Sequence, residues 1–258
     1  MDNRKGGVFM FDSHVHSKFS TDSNESIINI INNSKRAGVI ITDHMDINAS
    51  PKFVFNVNEF YQEYIKYRND KLLLGIEIGL TKETEKESKE ISEVIPYDFI
   101  LGSVHYIDGY DLYYPEIYES YKREEVYRLY LDTILYSINK NPYIDALAHI
   151  DYISRYSRYD EKEIKYDEFK DIINKIIISL LDNNILLELN TRRINEKEAY
   201  NNLKEILKKY KDFGGQYITI GSDAHNSNLI GNNFYLAEGM AEDLGLISCH
   251  FKNRKIIY

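Results

Sequence analysis

With 258 residues, the chain is long enough to close one α/β barrel around a sizeable core, so we expect a single domain over residues 1–258. Its 41 acidic and 32 basic side chains give a net charge of -9, which makes a long nucleic acid an unfavourable partner. The single cysteine, Cys249, excludes an internal disulfide and a cysteine-built zinc site. No apolar run is long enough for a membrane span or a signal peptide, so we expect a cytoplasmic protein without a membrane partner.

Short apolar runs alternate with longer polar or amphipathic stretches along the chain, which indicates repeated βα units. The predicted strands, none of which contains proline, cover residues 8–11, 39–41, 72–78, 99–103, 144–148, 185–189 and 217–220. Helices are predicted over residues 25–37, closed by Gly38, and over 58–69, 119–140, 166–183 and 196–212. The charged run 81–92 is typical of a solvated helix face, and the tail 245–258 is expected to pack back onto the barrel.

Six of the seven histidines lie at or within three residues of the end of a predicted strand. His14 and His16 follow the first strand, and because strand side chains alternate, both imidazoles share one face and can reach one metal. Asp22 lies on the loop that follows. His250 is outside this pattern, and we interpret it as a structural residue.

The other candidate ligands follow the later strands in the same way. They are His44 after the second strand, Glu77 inside the third, His105 after the fourth, His149 after the fifth, and Asp223 and His225 after the seventh. A carboxylate inside an apolar run is costly without a partner, so a cation is expected beside Glu77. Because the carboxyl ends of barrel strands meet at one mouth, the sequence predicts a metal site there.

In order along the chain, these residues form motifs that resemble the PHP (polymerase and histidinol phosphatase) family, and within it the histidinol-phosphate phosphatases. The motifs are HxH at 14–16, Asp22, DH at 43–44, GIEIG around Glu77, GSVHYIDG around His105, AHIDYISRY around His149, ELNT at 188–191, GSDAH ending at His225, and FKNRK at 251–255. The resemblance covers nearly the whole chain. It implies one PHP-type domain, folded as a distorted (β/α)7 TIM-like barrel with the metal site at the C-terminal ends of the strands.

The resemblance also implies about three divalent metal ions. One would be bound by His14, His16, Glu77 and Asp223, a second by Glu77, His105 and His149, and a third by Asp22, His44 and His225. Glu77 would bridge two metals, and the residues of the first set would hold a metal-bridging hydroxide that attacks phosphorus. Imidazole and carboxylate ligands without a thiolate suit Zn²⁺, Mn²⁺ or Fe²⁺.

Arginines are expected to bind the phosphate. The phosphatase subgroup carries one a few positions after ELNT, near position 195 here, whereas Arg192 and Arg193 follow Thr191 directly. On a continuing strand these two would face opposite ways, so only one should matter. Arg155, six residues after His149, fits the family position better than these two, with a solvated surface arginine as the alternative.

The implied activity is hydrolysis of L-histidinol phosphate to L-histidinol and phosphate in histidine biosynthesis, whereas the residues alone indicate phosphoester hydrolysis. One alternative is a related phosphoesterase acting on a nucleotide or an oligonucleotide end, which the acidic charge and the absence of a polymerase domain disfavour. Another is a non-catalytic metal-binding protein, which the complete ligand set disfavours. Asp43, Asp46 and Asp151 are open as general acid or as partners that orient a ligand histidine. The oligomeric state is open too.

Overall fold

The computed structural model describes residues 10–34 and 37–258. Within them the strands are β1 (Phe11–Val15), β2 (Gly38–Ile41), β3 (His44–Met45), β4 (Leu72–Gly79), β5 (Phe99–Ser103), β6 (Tyr106–Ile107), β7 (Tyr110–Asp111), β8 (Ala146–Leu147), β9 (Leu186–Asn190), β10 (Tyr217–Gly221), β11 (Ile247–Lys252) and β12 (Lys255–Ile257). Strands β1, β2, β4, β5, β8, β9 and β10 pair in that order, all parallel. This arrangement confirms the α/β fold class.

The helices of the described residues are α1 (Ile27–Asn33), α2 (Val57–Tyr64), α3 (Glu85–Ile91), α4 (Glu116–Ser120), α5 (Arg123–Lys140), α6 (Tyr152–Tyr156), α7 (Tyr166–Asp182), α8 (Lys197–Asp212) and α9 (Phe234–Leu244). Helices α1 and α2 begin with a side-chain N-cap: Ser26 accepts a hydrogen bond from the Asn29 amide, and Asn56 accepts hydrogen bonds from the Asn58 and Glu59 amides. In the described part of the chain, no helix combines the length and apolar character needed to cross a membrane.

The first strand lies beside the segment that follows β10. Val15 and Ala224 form an isolated parallel bridge, and the His16 amide donates to the Ala224 carbonyl at 2.9 Å. Buried Asp12 reinforces this junction, because its carboxylate accepts from the Ser222 amide and hydroxyl at 2.9 and 2.5 Å. The sheet therefore curves until its first strand meets the end of the seventh, as a TIM-like arrangement requires.

Two apolar clusters support the curved sheet. The smaller one takes residues from successive strands: Phe11, Ile40, Leu73, Phe99, Leu101, Ala146, Ala148, Leu186, Cys249 and Phe251. The larger one joins other strand residues to the helices. Leu73 and Glu77 lie four positions apart on β4 and so share a face of that strand, which places Glu77 above the smaller cluster.

Most predicted elements match the structure within a few residues, and strand 99–103 has the predicted bounds. Of the predicted strand 8–11, residues 8 and 9 lie outside the described part, and β1 extends further, to Val15. Strand 144–148 is shortened to two residues, and helix 119–140 is divided because Tyr121 is extended (φ -134°, ψ 162°).

The prediction that Gly38 closes the first helix was wrong. Helix α1 ends at Asn33, and Gly38 is the first residue of β2. A Cβ atom at Gly38 would lie 2.5 Å from the ring of Phe11. Glycine is therefore needed here for close packing against β1 rather than for a helix terminus.

The tail packs back onto the sheet, as expected. Strand β11 pairs in parallel with β10, and β12 returns antiparallel to β11 through a turn in which Asn253 and Arg254 have φ of 50° and 61°. This turn contacts two carboxylates that immediately precede β5 and β8. The Asn253 amide donates to Asp98 at 2.9 Å, and Arg254 Nε donates to Asp145 at 2.5 Å. His250 stacks on Phe11 with 3.7 Å between ring centroids, and Cys249 is buried.

We predict that Arg254→Ala lowers the free energy of unfolding by about 1–3 kcal/mol, because it leaves buried Asp145 with fewer donors. Lys255→Ala is the control, since Lys255 is the next residue and is exposed. Urea unfolding of both variants measures the difference. Equal stability of the two variants would show that the tail does not depend on this contact.

Candidate metal centre

The nine predicted ligands converge at the carboxyl ends of the strands. Their positions are His14 in β1, His16 and Asp22 after it, His44 in β3, Glu77 in β4, His105 after β5, His149 after β8, and Asp223 and His225 after β10. All are buried or nearly so except Asp22, whose side chain is 49% exposed. The structure therefore brings together every residue of the predicted set.

Glu77 occupies the centre of this cluster. Its carboxylate oxygens lie 2.6 Å from His44 Nδ1, 3.0 Å from His149 Nε2, 3.3 Å from His14 Nε2, 3.4 Å from His105 Nε2 and 3.7 Å from His16 Nε2. Burial would raise the pKa of the Glu77 carboxyl, but His14 and His44 outweigh this effect and hold the pKa well below its usual range. Glu77 is therefore a buried negative charge shared by five imidazoles.

Potential ligand atoms form several overlapping groups of three, each within 4.8 Å. They are His14, His16 and Glu77; His14, His149 and Asp223; Glu77, His105 and His149; His44, Asp46 and His105; and His16, His44 and His225. The third is one of the expected sets, and the first contains three residues of another, whose fourth member, Asp223, has Oδ1 3.2 Å from His16 Nε2. For the remaining set, Asp22 Oδ2 is 3.1 Å from His225 Nε2 and 3.7 Å from His44 Nε2.

Unpaired polar atoms test whether a metal fits here. In the described part of the chain, His14 Nε2, His16 Nε2, His105 Nε2 and Glu77 Oε2 are buried and form no hydrogen bond, although His44 Nδ1 lies 2.6 Å from Glu77 Oε2. Such atoms cost about 1–3 kcal/mol each unless something satisfies them. Because they face one another and comprise imidazole nitrogen and carboxylate oxygen, they suit a borderline divalent cation. The residues fit a metal centre.

Two carboxylates orient ligand rings from behind. Glu188 Oε1 lies 2.8 Å from His14 Nδ1, and its other oxygen accepts the His149 amide at 2.8 Å. Asp46 Oδ1 lies 3.0 Å from His105 Nδ1. The sequence had identified Glu188 only as part of a motif, although a carboxylate in a buried strand is the same signal that singled out Glu77.

The three candidate arginines have different positions. Arg155 Nη1 lies 2.5 Å and Arg192 Nη1 3.3 Å from Asp223 Oδ2, so both guanidinium groups reach the metal-facing carboxylate. Arg193 instead contacts Glu163, and its guanidinium lies 3.6 Å from Asp151. Arg192 is 41% exposed and Arg193 11%. Strand β9 ends at Asn190, before both arginines, and the two contact different carboxylates. Arg192 is the one that contacts a residue of the predicted ligand set.

The family model described as PHP domain matches residues 12–192. The chain belongs to the PHP family. A relative from Clostridium acetobutylicum named "Probable histidinol-phosphatase" is 44% identical, over 96% of this chain and 99% of its own. The "Histidinol-phosphatase" of Lactococcus lactis subsp. lactis is 30% identical, over 83% of each chain.

Solved structures show the same architecture. The crystal structure of histidinol phosphate phosphatase from Lactococcus lactis, complexed with zinc, L-histidinol and phosphate, has a TM-score of 0.91 and 27% identity, covering 96% of this chain and 99% of its own. This likeness confirms the predicted TIM-like PHP fold. An archaeal ribonuclease P structure with mature tRNA has a TM-score of 0.52 and 15% identity, so it shares the fold alone.

A cavity of about 430 Å³ adjoins the candidate ligands Asp22, His44 and His105. It is lined by His44 and His105, the carboxylates Asp22, Asp46 and Asp111, Thr21, Lys52, Phe53, and the tyrosines Tyr106, Tyr113, Tyr114, Tyr152 and Tyr156. This wall combines aromatic faces with negative charge. It therefore suits a molecule that has a ring and a positive charge.

Gly221, the last residue of β10, lies against the supports of this cluster. A Cβ atom there would lie 2.3 Å from Glu188 Oε1 and 2.5 Å from His14 Cβ. We predict that Gly221→Ala lowers the free energy of unfolding by about 1–3 kcal/mol because these side chains must move. The control is Gly239→Ala in α9, where nothing lies within 4 Å and a gain of up to about 1 kcal/mol is expected. Urea unfolding compares them, and a neutral Gly221→Ala would contradict the packing.

Proposed function

We propose that this chain is a metal-dependent phosphomonoesterase that hydrolyses L-histidinol phosphate to L-histidinol and phosphate. One observation carries the proposal: a buried Glu77 surrounded by five imidazoles lies near a carboxylate, Asp223, that holds two arginines. The named relatives and the Lactococcus lactis complex support the choice of substrate.

In this proposal the nine ligand residues hold about three divalent ions in the three expected sets. Zinc is supported by the Lactococcus lactis complex, with manganese and iron also compatible with the ligand types. Such ions supply charge neutralisation and an activated water for attack on a phosphomonoester. The protein contributes fixed ligand geometry, because Glu188 and Asp46 hold the rings of His14 and His105.

Arg155 and Arg192 would bind the non-bridging oxygens of the phosphate. A guanidinium presents two parallel donors to an anion, and both groups already converge on Asp223. The side chain of Arg155 is only 8% exposed and has a second contact, to Asn190 Oδ1 at 3.2 Å, so its direction is fixed. Exposed Arg192 can turn toward an incoming phosphate. Arg193 would hold the loop through Glu163 instead.

The alcohol part of the substrate would occupy the tyrosine-lined cavity. L-histidinol carries an imidazole ring, which can pack on tyrosine faces, and an ammonium group, which suits carboxylates such as Asp111. This cavity opens beside His44 and His105, so a phosphate at the metals and a ring among the tyrosines can be bound together.

A phosphate-release screen tests the proposal directly. The purified protein would be assayed with L-histidinol phosphate, nucleoside monophosphates and 5′-phosphorylated oligonucleotides. We expect the highest kcat/KM for L-histidinol phosphate. A higher value for a nucleotide or an oligonucleotide end would favour the related phosphoesterase, and no release from any substrate would favour a non-catalytic metal-binding protein.

We predict that Glu77→Gln lowers kcat by at least ~10²-fold and also lowers the metal-to-protein ratio, because the amide keeps the shape but removes the shared charge. Steady-state kinetics and elemental analysis measure the two effects. Asp98→Asn is the control, since Asp98 is equally buried but lies before β5, at the other end of the strands. If Glu77→Gln keeps full metal content and activity, Glu77 is not a ligand.

We predict that substitution of Arg192 affects catalysis, whereas substitution of Arg193 affects stability. Arg192→Ala should lower kcat/KM by ~10- to 10³-fold with little change in stability, and Arg192→Lys should recover only part of the loss. Arg193→Ala should instead lower the free energy of unfolding by about 1–3 kcal/mol, because Glu163 stays buried without its partner. Kinetics and urea unfolding distinguish the two. Equal kinetic effects would contradict the assignment of Arg192.

A further inference from the structure

A buried hydrogen-bond network lies at the Nδ1 side of the His16 ring. We call Ser17, Ser20, Asp43 and Tyr64 the Asp43 network. Asp43 accepts from the Ser17 amide at 2.7 Å and hydroxyl at 2.6 Å, and from the Ser20 amide at 3.1 Å and hydroxyl at 2.8 Å. Tyr64 donates to the Ser17 hydroxyl at 3.0 Å. All four residues are buried.

Ser20 connects this network to His16. Its Oγ has three polar neighbours: Asp43 Oδ1 at 2.8 Å, the His44 amide at 3.0 Å and His16 Nδ1 at 2.9 Å. A serine hydroxyl donates one hydrogen bond and accepts up to two. The His44 amide can only donate, so the single hydroxyl proton goes either to Asp43 or to His16.

The surroundings of Asp43 decide between these two acceptors. Its Oδ1 already accepts the amides of Ser17 and Ser20, which requires an oxygen without a proton. The same holds if Asp43 is protonated, because the proton would then be on Oδ2. Two oxygens 2.8 Å apart need a proton between them, and Oδ1 carries none, so the Ser20 hydroxyl donates to Asp43. His16 Nδ1 must then be the donor to Ser20.

This direction determines which nitrogen of His16 is available for a metal. With its proton on Nδ1, the neutral ring has its lone pair on Nε2. His16 Nε2 lies 3.2 Å from Asp223 Oδ1 and 3.7 Å from Glu77 Oε2, and it has no hydrogen-bond donor among the described residues. A lone pair between two carboxylates is repelled unless a cation lies among them.

We infer that Ser20, held by Asp43, is a positioning residue that fixes His16 in its Nδ1–H tautomer and so commits Nε2 to metal binding. The inference rests on the metal dependence of the proposed function but not on its substrate. Asp43 then acts through Ser20 and orients a ligand histidine. Asp43 lies behind the His16 ring, where it does not contact the substrate.

Two measurements on the zinc-loaded enzyme test the inference. Long-range ¹H–¹⁵N spectra of histidine-labelled protein should show His16 with a slowly exchanging proton on Nδ1 and zinc on Nε2. Competition with a chromophoric chelator should show that the zinc ion of lowest affinity is bound ~10- to 100-fold less tightly by Ser20→Ala than by the wild-type enzyme. The matched control is Ser23→Ala, because the Ser23 hydroxyl is buried in the same loop but donates only to the backbone oxygens of His16 and His225.

Ser23→Ala should keep a zinc affinity close to that of the wild-type enzyme. The inference is overturned if zinc is bound at His16 Nδ1, or if Ser20→Ala and Ser23→Ala lose zinc equally, which would indicate a general effect on the loop. The spectrum of the wild-type enzyme decides the question even if Ser20→Ala does not fold. Zinc bound as described, without hydrolysis of L-histidinol phosphate, would contradict the proposed function alone.

Discussion

The interaction on which the site depends is the one between the buried carboxylate of Glu77 and the imidazoles around it. A buried carboxylate without compensation costs several kcal/mol, and β4 alone offers only apolar neighbours. Compensation comes from rings carried by other strand ends, which the parallel pairing brings within 4 Å. The register matters, because Glu77 pairs with His44 on one side and Leu101 on the other. A slip of one residue would turn Glu77 to the other face.

The other buried carboxylates show why the metals belong at the mouth. At the opposite strand ends, Asp98 accepts from Arg68 and from the amides of Leu74 and Asn253, and Asp145 accepts from Arg254 and the Ile100 amide. These carboxylates are satisfied by donors of the chain itself. Glu77 instead faces five imidazoles, and among the described residues only His149 Nε2 forms a hydrogen bond with it. At one end of the strands, protein donors therefore satisfy the buried carboxylates. At the other end, the cluster around Glu77 needs cations.

The sequence could predict the parts of this site that depend on local periodicity. Alternation on β1 placed His14 and His16 together, and convergence of the strand ends predicted the whole cluster. It could not choose between Arg192 and Arg193, since the partner that turns Arg193 away is Glu163, 30 residues distant along the chain. Gly38 was misinterpreted for a related reason, because its steric constraint is the ring of Phe11.

Hydrogen bonds within the protein orient most of the ligand histidine rings without a metal. The Nδ1 atoms of His14, His16, His105 and His225 lie near acceptors provided by Glu188, Ser20, Asp46 and the Asp223 carbonyl, which belong to four different segments. Each acceptor leaves Nε2 directed inward, so the ligands are preorganised by the fold. His149 differs, because in the described part of the chain its Nδ1 is buried without a hydrogen-bond partner. Its ring packs against His105 and Tyr152, and its Nε2 lies 3.0 Å from Glu77 Oε1.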